Sequence, residues 1–453
     1  MRGIDAAGWP RTPPRAWERP VGQTPFDFGE LLTLSSRPVI AAAVRRGLGF
    51  YFDYPSGPTR VFGDGGALQR SLFRHLMAIS ELLQDGNLIV SGEADPGSEP
   101  GTVVLRIDAA ASGKRLPDVD VAAVLAGLGL VQDPVDPELP HVVSAAGSCP
   151  IVGGDVRYRC VPSAGALLSL TVRFPGQVMA DLTPPNAHGC PASILYDGHE
   201  SVHGLAHRLR RLGWDVSLFR DTDTFARAIL ESDGNHRLAI AVGSAVVRPA
   251  DLLKVNAALG DVAPERLERI HAVRAGSSAL EAPPTPGWQV NVIPFLPSEL
   301  WDFTRRAEPD DASFHHESRP TPLPAPDRPR VLVVDDDEVN RIIASGLLQM
   351  IGYDAQSVAS GHEAIALCQR GAPDLVLMDI NMPGLDGYEA TAALKRLQQS
   401  GGIPPFPILA ATAAGNPERS LARGLDGHLD KPLLAEDLRV QLHRALKGLA
   451  TRL

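Results

Sequence analysis

Four short segments near the C-terminus, each ending on a chemically active residue, constrain this chain more than any other feature. VLVV (Val331 to Val334) runs into Asp335, Asp336 and Asp337, and LVLM (Leu375 to Met378) runs into Asp379 and the turn sequence NMPGLDG. ILAA (Ile408 to Ala411) ends on Thr412, and a fourth segment ends near His428, ahead of Lys431 and Pro432. Short uninterrupted apolar runs are expected of strands buried on both faces of a parallel sheet. After the first run, Val339, Ile342, Ile343, Leu347 and Met350 share one helical face, and Gly352 supplies a stop. Strand and helix alternate, which predicts a doubly wound α/β domain with its ligands at the carboxyl ends of the strands.

In such a sheet the strand ends converge. Two or three carboxylates suit a hard divalent cation such as magnesium, with waters and a phosphate completing the shell. The cation offsets carboxylate repulsion and neutralises charge on a transferring phosphoryl group. A carboxylate such as Asp379 can accept that group covalently. Lys431 can pair with a phosphate oxygen as a point charge, and Thr412 can donate a hydroxyl hydrogen bond. One aspartate at a strand-to-helix junction is most often an N-cap or turn residue. The ordered set of an Asp pair, Asp, Thr and Lys-Pro is far more specific. Lysine is also scarce: Lys114, Lys254, Lys395, Lys431 and Lys447 are all there are.

The 453 residues suggest roughly three domains. A hydrophobic content of 44% with 21% charged residues is ordinary globular composition. The formal charge of -10 argues against a nucleic-acid partner, because no basic excess exists to neutralise phosphates. The four cysteines show neither metal-ligand spacing nor a disulfide framework. No signal-peptide core and no bilayer-length apolar run stands out. A cytoplasmic protein with no membrane segment is expected. Residues 1–25 read as a flexible tail, 26–175 and 190–306 as two domains, 307–328 as a Pro-rich linker and 329–449 as the last domain.

VLVVDDDEVNR, LVLMDINMPGLDGYEA, ATAA and GHLDKPL resemble the receiver domain of two-component response regulators, of the type fused to hybrid histidine kinases. The resemblance implies a flavodoxin-like fold and phosphorylation of Asp379 by a phosphohistidine of a histidine kinase or phosphotransfer protein. It implies Mg2+ held by Asp336, Asp379 and the backbone carbonyl of Asn381, with Asp335 bound through water. Thr412 and Lys431 would then sense the phosphoryl group. His428, three residues before the lysine, stands at the family's switch position.

PFDFGELL, GLGFYFDYPSGPTRVFGDGGALQRSLFRHL, GTVVLRIDAAASG and IVGGDVRYRCVPSAGALLSLTVRFP, in that order, resemble the ATP-binding domain of histidine kinases. That family's fold is an α/β sandwich of a mixed sheet and helices. The departures are severe. Ile79 stands where the family's magnesium-binding Asn belongs, and an isoleucine offers no oxygen to a cation. The adenine loop appears as Asp108-Ala109-Ala110-Ala111-Ser112, without the glycines that let backbone approach a nucleotide. GLGL (Gly127 to Leu130) reads as a plain helix end. The residues ahead of the domain hold no histidine and are too few for the family's phosphoacceptor hairpin at about 1.5 Å per helical residue. A pseudokinase module is expected, with no catalytic kinase residue, and ATP is not an expected cofactor.

ASILYDGHESVHGLAHRLRRLGWDVSLFRD, HRLAIAVGS, ERIHAVRAG and WQVNVIPFLPSEL repeat the strand–helix order of the last domain. Aligned by eye, Asp197 falls on Asp335, Gly198 on Asp336, Val242 or Gly243 on Asp379, and Ile293 on Lys431. The acids and the lysine are lost together, so a pseudo-receiver is expected. His199, His203 and His207 share a helical face, but no carboxylate or cysteine cluster completes a metal site, which favours a polar or interface face. His315 and His316 precede Pro320, Pro322 and Pro324, so a linker is expected there and not a phosphotransfer helix.

The leading expectation is a phosphorelay protein whose Asp379 is the live site, beside two silenced neighbours that dock partners or regulate. Two other readings compete: a hybrid histidine kinase that still binds ATP and acts in trans, and a ligand-binding regulatory scaffold. The sequence is compatible with an oligomer.

Overall fold

The chain is described from a computed structural model over residues 24–55, 57–113, 118–132, 143–149, 152–161, 165–178, 184–197, 202–231, 237–243, 249–260, 267–274, 285–307, 329–412 and 417–450. His199, His315, His316, Gly198 and nearly all of the expected tail and linker lie outside these residues.

The first elements are β1 (Thr24–Asp27), α1 (Phe28–Arg45), β2 (Gly49–Asp53), β3 (Thr59–Gly63), α2 (Gly65–Glu81), β4 (Asn87–Pro96) and β5 (Thr102–Ser112). They continue with α3 (Asp118–Gly127), β6 (Val131–Gln132), β7 (Val143–Cys149), β8 (Gly154–Val161) and β9 (Gly165–Val178). β2, β4, β5, β9, β8, β7 and β6 lie side by side in that order, and β3 joins β9 to β1. β2 and β4 are parallel and the remaining pairs antiparallel, so the sheet is mixed. Asp27 and Asp64 cap α1 and α2, each accepting a backbone N–H of the first turn.

Alternation along the strands sends side chains to two different cores. Phe50, Phe52, Leu88, Val90, Ala109, Ala111, Ala166 and Leu168 face the helices α1, α2 and α3. The residues between them, Tyr51, Ile89, Ala110 and Leu167, face the opposite way. These four stand in register across four strands: Tyr51 pairs with Ile89, Ile89 with Ala110, and Ala110 with Leu167. They form an apolar row across the back of the sheet.

The middle elements are β10 (Pro191–Leu195), α4 (Val202–Arg211), β11 (Asp215–Phe219), α5 (Thr222–Glu231), β12 (Arg237–Val242), α6 (Pro249–Leu259), β13 (Leu267–Arg274), β14 (Gln289–Ile293) and α7 (Pro297–Ala307). The last are β15 (Arg330–Val334), α8 (Glu338–Met350), β16 (Asp354–Val358), α9 (Gly361–Arg370), β17 (Leu375–Asp379), α10 (Gly387–Gln399), β18 (Ile408–Thr412), α11 (Pro417–Ala422), β19 (Gly427–Asp430) and α12 (Ala435–Ala450). Both groups form five-stranded parallel sheets, ordered β11-β10-β12-β13-β14 and β16-β15-β17-β18-β19. Each is the doubly wound arrangement, with the first strand inside and the second at the edge.

The pairing registers superimpose the two sheets residue by residue. Leu195 pairs with Ala241 as Val334 pairs with Met378, so Val242 stands at the place of Asp379. Val242 pairs with Ala272 as Asp379 pairs with Ala411, and Val273 pairs with Val292 as Thr412 pairs with Asp430. Ile293 therefore stands at Lys431, and each precedes a cis proline. The same register puts Tyr196 at Asp335 and Asp197 at Asp336, one residue earlier than the alignment by eye. The buried run of β10 extends into Tyr196, itself 7% exposed, which moves the strand end by one position.

The first and second sheets are joined through arginines. Arg37 of α1 donates to the carbonyls of Val292 and Pro294 and pairs with Glu299. Arg208 of α4 donates to the Phe295 carbonyl at 2.8 Å and lies over the Phe52 ring. Arg211 pairs with Asp53.

Candidate functional site

The site forms where β15 and β17, neighbours in the third sheet, both end in acids. Val331 to Val334 and Leu375 to Met378 are buried, which fixes the strands and delivers Asp335 and Asp379 to adjacent positions at the carboxyl edge. The carboxylates of Asp335, Asp336 and Asp379 each bring an oxygen within 4.8 Å of the other two. Asp335 is 3% and Asp379 6% exposed, whereas Asp336 is exposed to solvent.

Lys431 reaches between the two buried acids. Its Nζ lies 2.6 Å from Asp335 Oδ2 and 3.1 Å from Asp379 Oδ2. It follows β19, and its own N–H donates to the Thr412 carbonyl at 2.9 Å, which ties the lysine to the end of β18. Thr412 is buried at that end. The other oxygen of Asp335 accepts from the Asp337 N–H and from Asn340 Nδ2, both at 2.9 Å. Arg341 donates to the carbonyls of Asp335 and Asp336 at 2.8 Å each, bracing the strand end from the first turn of α8.

Burial pushes the Asp379 carboxyl up to about 6, with the neighbouring Asp335 charge adding and Lys431 opposing. Asp336 is likewise raised, by burial first and then by Asp335. Burial alone would lower Lys431, but the two carboxylates outweigh it and hold the ammonium above its usual value. The Asp379 and Asp336 carboxyls thus resist ionisation, first through burial and then through the Asp335 charge, and a cation would offset both.

The loop after β17 folds tightly on the strand end. The Asn381 N–H donates to Asp379 Oδ1 at 3.3 Å, and the Gly387 N–H to the Ile380 carbonyl. A Cβ on Gly387 would fall 2.1 Å from the Asp379 carbonyl oxygen, so only glycine closes this turn without displacing backbone. Asp386 and Glu389 then form a capping box that starts α10.

His428 sits on β19, three residues before Lys431. Its Nδ1 is 3.3 Å from Ser420 Oγ and its Nε2 2.9 Å from Asp430 Oδ1, so α11 and its own strand engage both nitrogens. The loop 413–416 lies outside the described residues. Sequence reasoning missed Asn340, Arg341 and Gly387. Their proximity to the acid motif was the available signal. It also missed Arg159 of β8, whose guanidinium pairs with Asp337 Oδ2 at 2.8 Å across 178 residues of sequence, for which no signal existed.

The other two places differ sharply. In the second sheet the equivalent positions are Tyr196, Asp197, Val242 and Ile293. His271 beside them is buried, and its Nε2 has no hydrogen-bond partner. His203 packs on the Tyr196 ring, and His207 Nδ1 lies 4.0 Å from Asp354, so these two face neighbours. In the first sheet Ile79 is 1% exposed within the helix-side core. Asp108 to Ser112 are not a loop but the middle and end of β5. Asp108 accepts from Ser169 and lies near Glu338, on the face turned away from α2. No helix among the described residues is long and apolar enough to cross a membrane.

Residues 331–443 match the family described as response regulator receiver domain. The sensor histidine kinase GacS of Pseudomonas protegens is 26% identical over 424 residues, covering 88% of this chain and 44% of its own length. The receiver domain of the histidine kinase CKI1 of Arabidopsis thaliana, solved with Mg2+ and BeF3-, is 29% identical, covers 27% of this chain and 89% of that one, and gives a TM-score of 0.23. The complex of the Saccharomyces cerevisiae phosphotransfer protein Ypd1 with the receiver domain of Ssk1 matches with 24% identity, 26% and 88% coverage and a TM-score of 0.25. The chain spans less than half the length of GacS. Its C-terminal part is a response regulator receiver domain, carried on a chain that is similar along most of its length to part of a sensor histidine kinase.

Proposed function

We propose that Asp379 accepts a phosphoryl group from a phosphohistidine and that the first two units of the chain are non-catalytic regulators of that step. The observation that carries the reading is the trio Asp335, Asp336 and Asp379 within 4.8 Å, with Lys431 Nζ bridging the buried pair. In the transfer, the phosphorus–nitrogen bond of the donor breaks as a phosphorus–oxygen bond to the Asp379 carboxylate forms. The donor imidazole leaves with the bonding electrons and takes up a proton from solvent. The product is an acyl phosphate. Asp379 must be ionised to attack, and the Lys431 charge favours that form.

All three carboxylates are hard oxygen donors, which fits Mg2+. Asp336, Asp379 and the carbonyl of Asn381 would hold it directly and Asp335 through water. When bound, the ion screens the negative charges of acceptor and phosphoryl group from one another. Lys431 Nζ would shift its pairing to a phosphoryl oxygen, Thr412 would donate its hydroxyl to another, and His428 would respond as the switch. A histidine kinase or phosphotransfer protein is the proposed donor, and the cytoplasm the proposed location, in keeping with four cysteines that form no disulfide with one another. The units 26–175 and 190–306 are read as pseudokinase and pseudo-receiver, joined by 307–328 to the receiver at 329–449. The placement of Ile79 and Asp108 and the apolar Val242 and Ile293 support that reading.

The test is incubation of the full chain with labelled acetyl phosphate and Mg2+. Wild type should become labelled and Asp379→Asn should not. Label that survives the substitution refutes the assignment.

A further inference from the structure

The back of the first sheet is covered by the receiver's α8. Ile343, Gly346 and Gln349, three residues apart, form the stripe that meets it. A Cβ on Gly346 would fall 2.8 Å from two carbons of Ile89, so the bare glycine lets Ile89 rest against the helix backbone. Ile343 Cδ1 lies over Gly165, and Tyr51 Oη donates to Gln349 Oε1 at 3.1 Å. Ile89, Tyr51, Ala110 and Leu167, the in-register row, share one buried cluster with Val339, Leu347 and the receiver strands. Ser112 donates to the Leu433 carbonyl beside Lys431 and Pro432. Across α8, His203 approaches Gly352 and His207 faces Asp354.

This contact reaches the rim of the phosphoacceptor pocket. α8 begins directly after the acid triplet, and its N-cap Asp337 is held by Arg159 of the first sheet. A phosphohistidine is carried on a protein, and its phosphorus must come within roughly 3–3.5 Å of the attacking oxygen. The carrier's body then has to rest on the rim, and a specific protein contact needs a patch of about 800 Å² on each partner. On the α8 side that patch is already occupied. A small phosphoryl donor needs only the solvent opening at Asp336, which is exposed.

We propose that docking of α8 against the first sheet selects the donor: small phosphoryl compounds reach Asp379 in the docked chain, and a phosphohistidine protein reaches it only after α8 undocks. The inference rests on Asp379 being the phosphoacceptor. The first unit then acts as a cover over the surface a protein donor needs.

Gly346→Gln tests it from the receiver side. The Cβ of the new side chain runs into Ile89 of the first sheet, and glycine replaced inside a helix favours the helix itself. Arg159→Glu tests it from the other side, by setting a like charge against Asp337. Each full-length chain is given labelled acetyl phosphate with Mg2+, and separately phosphorylated Ypd1 with Mg2+. Overpacking strain of the usual size multiplies the undocked fraction by about tenfold. Labelling from Ypd1 should rise by roughly that factor in both variants, while labelling of the Gly346→Gln chain from acetyl phosphate changes by less than about twofold. Equal Ypd1 rates in wild type and both variants, including no transfer to any of them, overturn the inference while acetyl-phosphate labelling leaves the phosphoacceptor reading intact. Failure of acetyl phosphate to label any chain instead removes that reading, and the inference with it.

Discussion

Replacing Lys431 by methionine removes one charge and keeps most of the side-chain volume. In metal-free buffer it leaves Asp335 and Asp379, 3% and 6% exposed, facing each other without a counter-charge. The Asp379 carboxyl is already pushed from 3.8 to about 6 with the lysine present, which corresponds to roughly 3 kcal/mol of stability given up at alkaline pH. The sign follows from proton uptake: between those two values the folded chain binds more protons than the unfolded one, so stability falls as pH rises through that window. Without Lys431 the carboxyl moves higher still and the window extends upward. Breaking a buried ion pair by removing one partner typically costs about 3–5 kcal/mol. The variant should therefore lose about that much at pH 8, much less at pH 5, and recover part of it on addition of Mg2+. Hydrogen exchange of the β15 and β17 amides in the full-length chain measures this locally. Equal protection of variant and wild type at pH 8, or a deficit larger at pH 5 than at pH 8, would refute the reasoning.

Two further outcomes follow from burial alone. Gly387→Ala drives a methyl to 2.1 Å from the Asp379 carbonyl and should cost at least about 1–3 kcal/mol, read as earlier thermal unfolding of the receiver together with slower labelling by acetyl phosphate. Of the four cysteines only Cys190 is partly accessible, and burial holds the Cys368 thiol up at about 11. Alkylation of the native chain, mapped by mass spectrometry, should mark Cys190 first. Equally rapid modification of Cys149, Cys160 or Cys368 would contradict the packing described.

The third sheet was legible because its central strands are buried on both faces and end on charged residues. Apolar runs and motif therefore coincide at β15 and β17. The edge strand β16 carried no such signal, since its residues are only partly buried or exposed. Asp108 to Ser112 read as a vestigial loop because alanines carry little periodicity, yet backbone pairing with β4 and β9 makes them strand. The repeated topology of the second sheet was visible, but its strand end was misjudged by one residue because Tyr196 looks polar and packs as core. The approach of Arg159 to Asp337, and of Ile89 to Gly346, depends on how separate sheets meet, and local sequence holds no record of that.

The Ile89–Gly346 contact carries a further consequence for descent. One side supplies a branched aliphatic side chain and the other supplies its absence, so the space between β4 and α8 is a single volume divided between two distant codons. A larger residue at position 346 can enter only if position 89 shrinks. Sequences that keep this arrangement should change at the two sites together, and those that have enlarged one without reducing the other should have given the arrangement up.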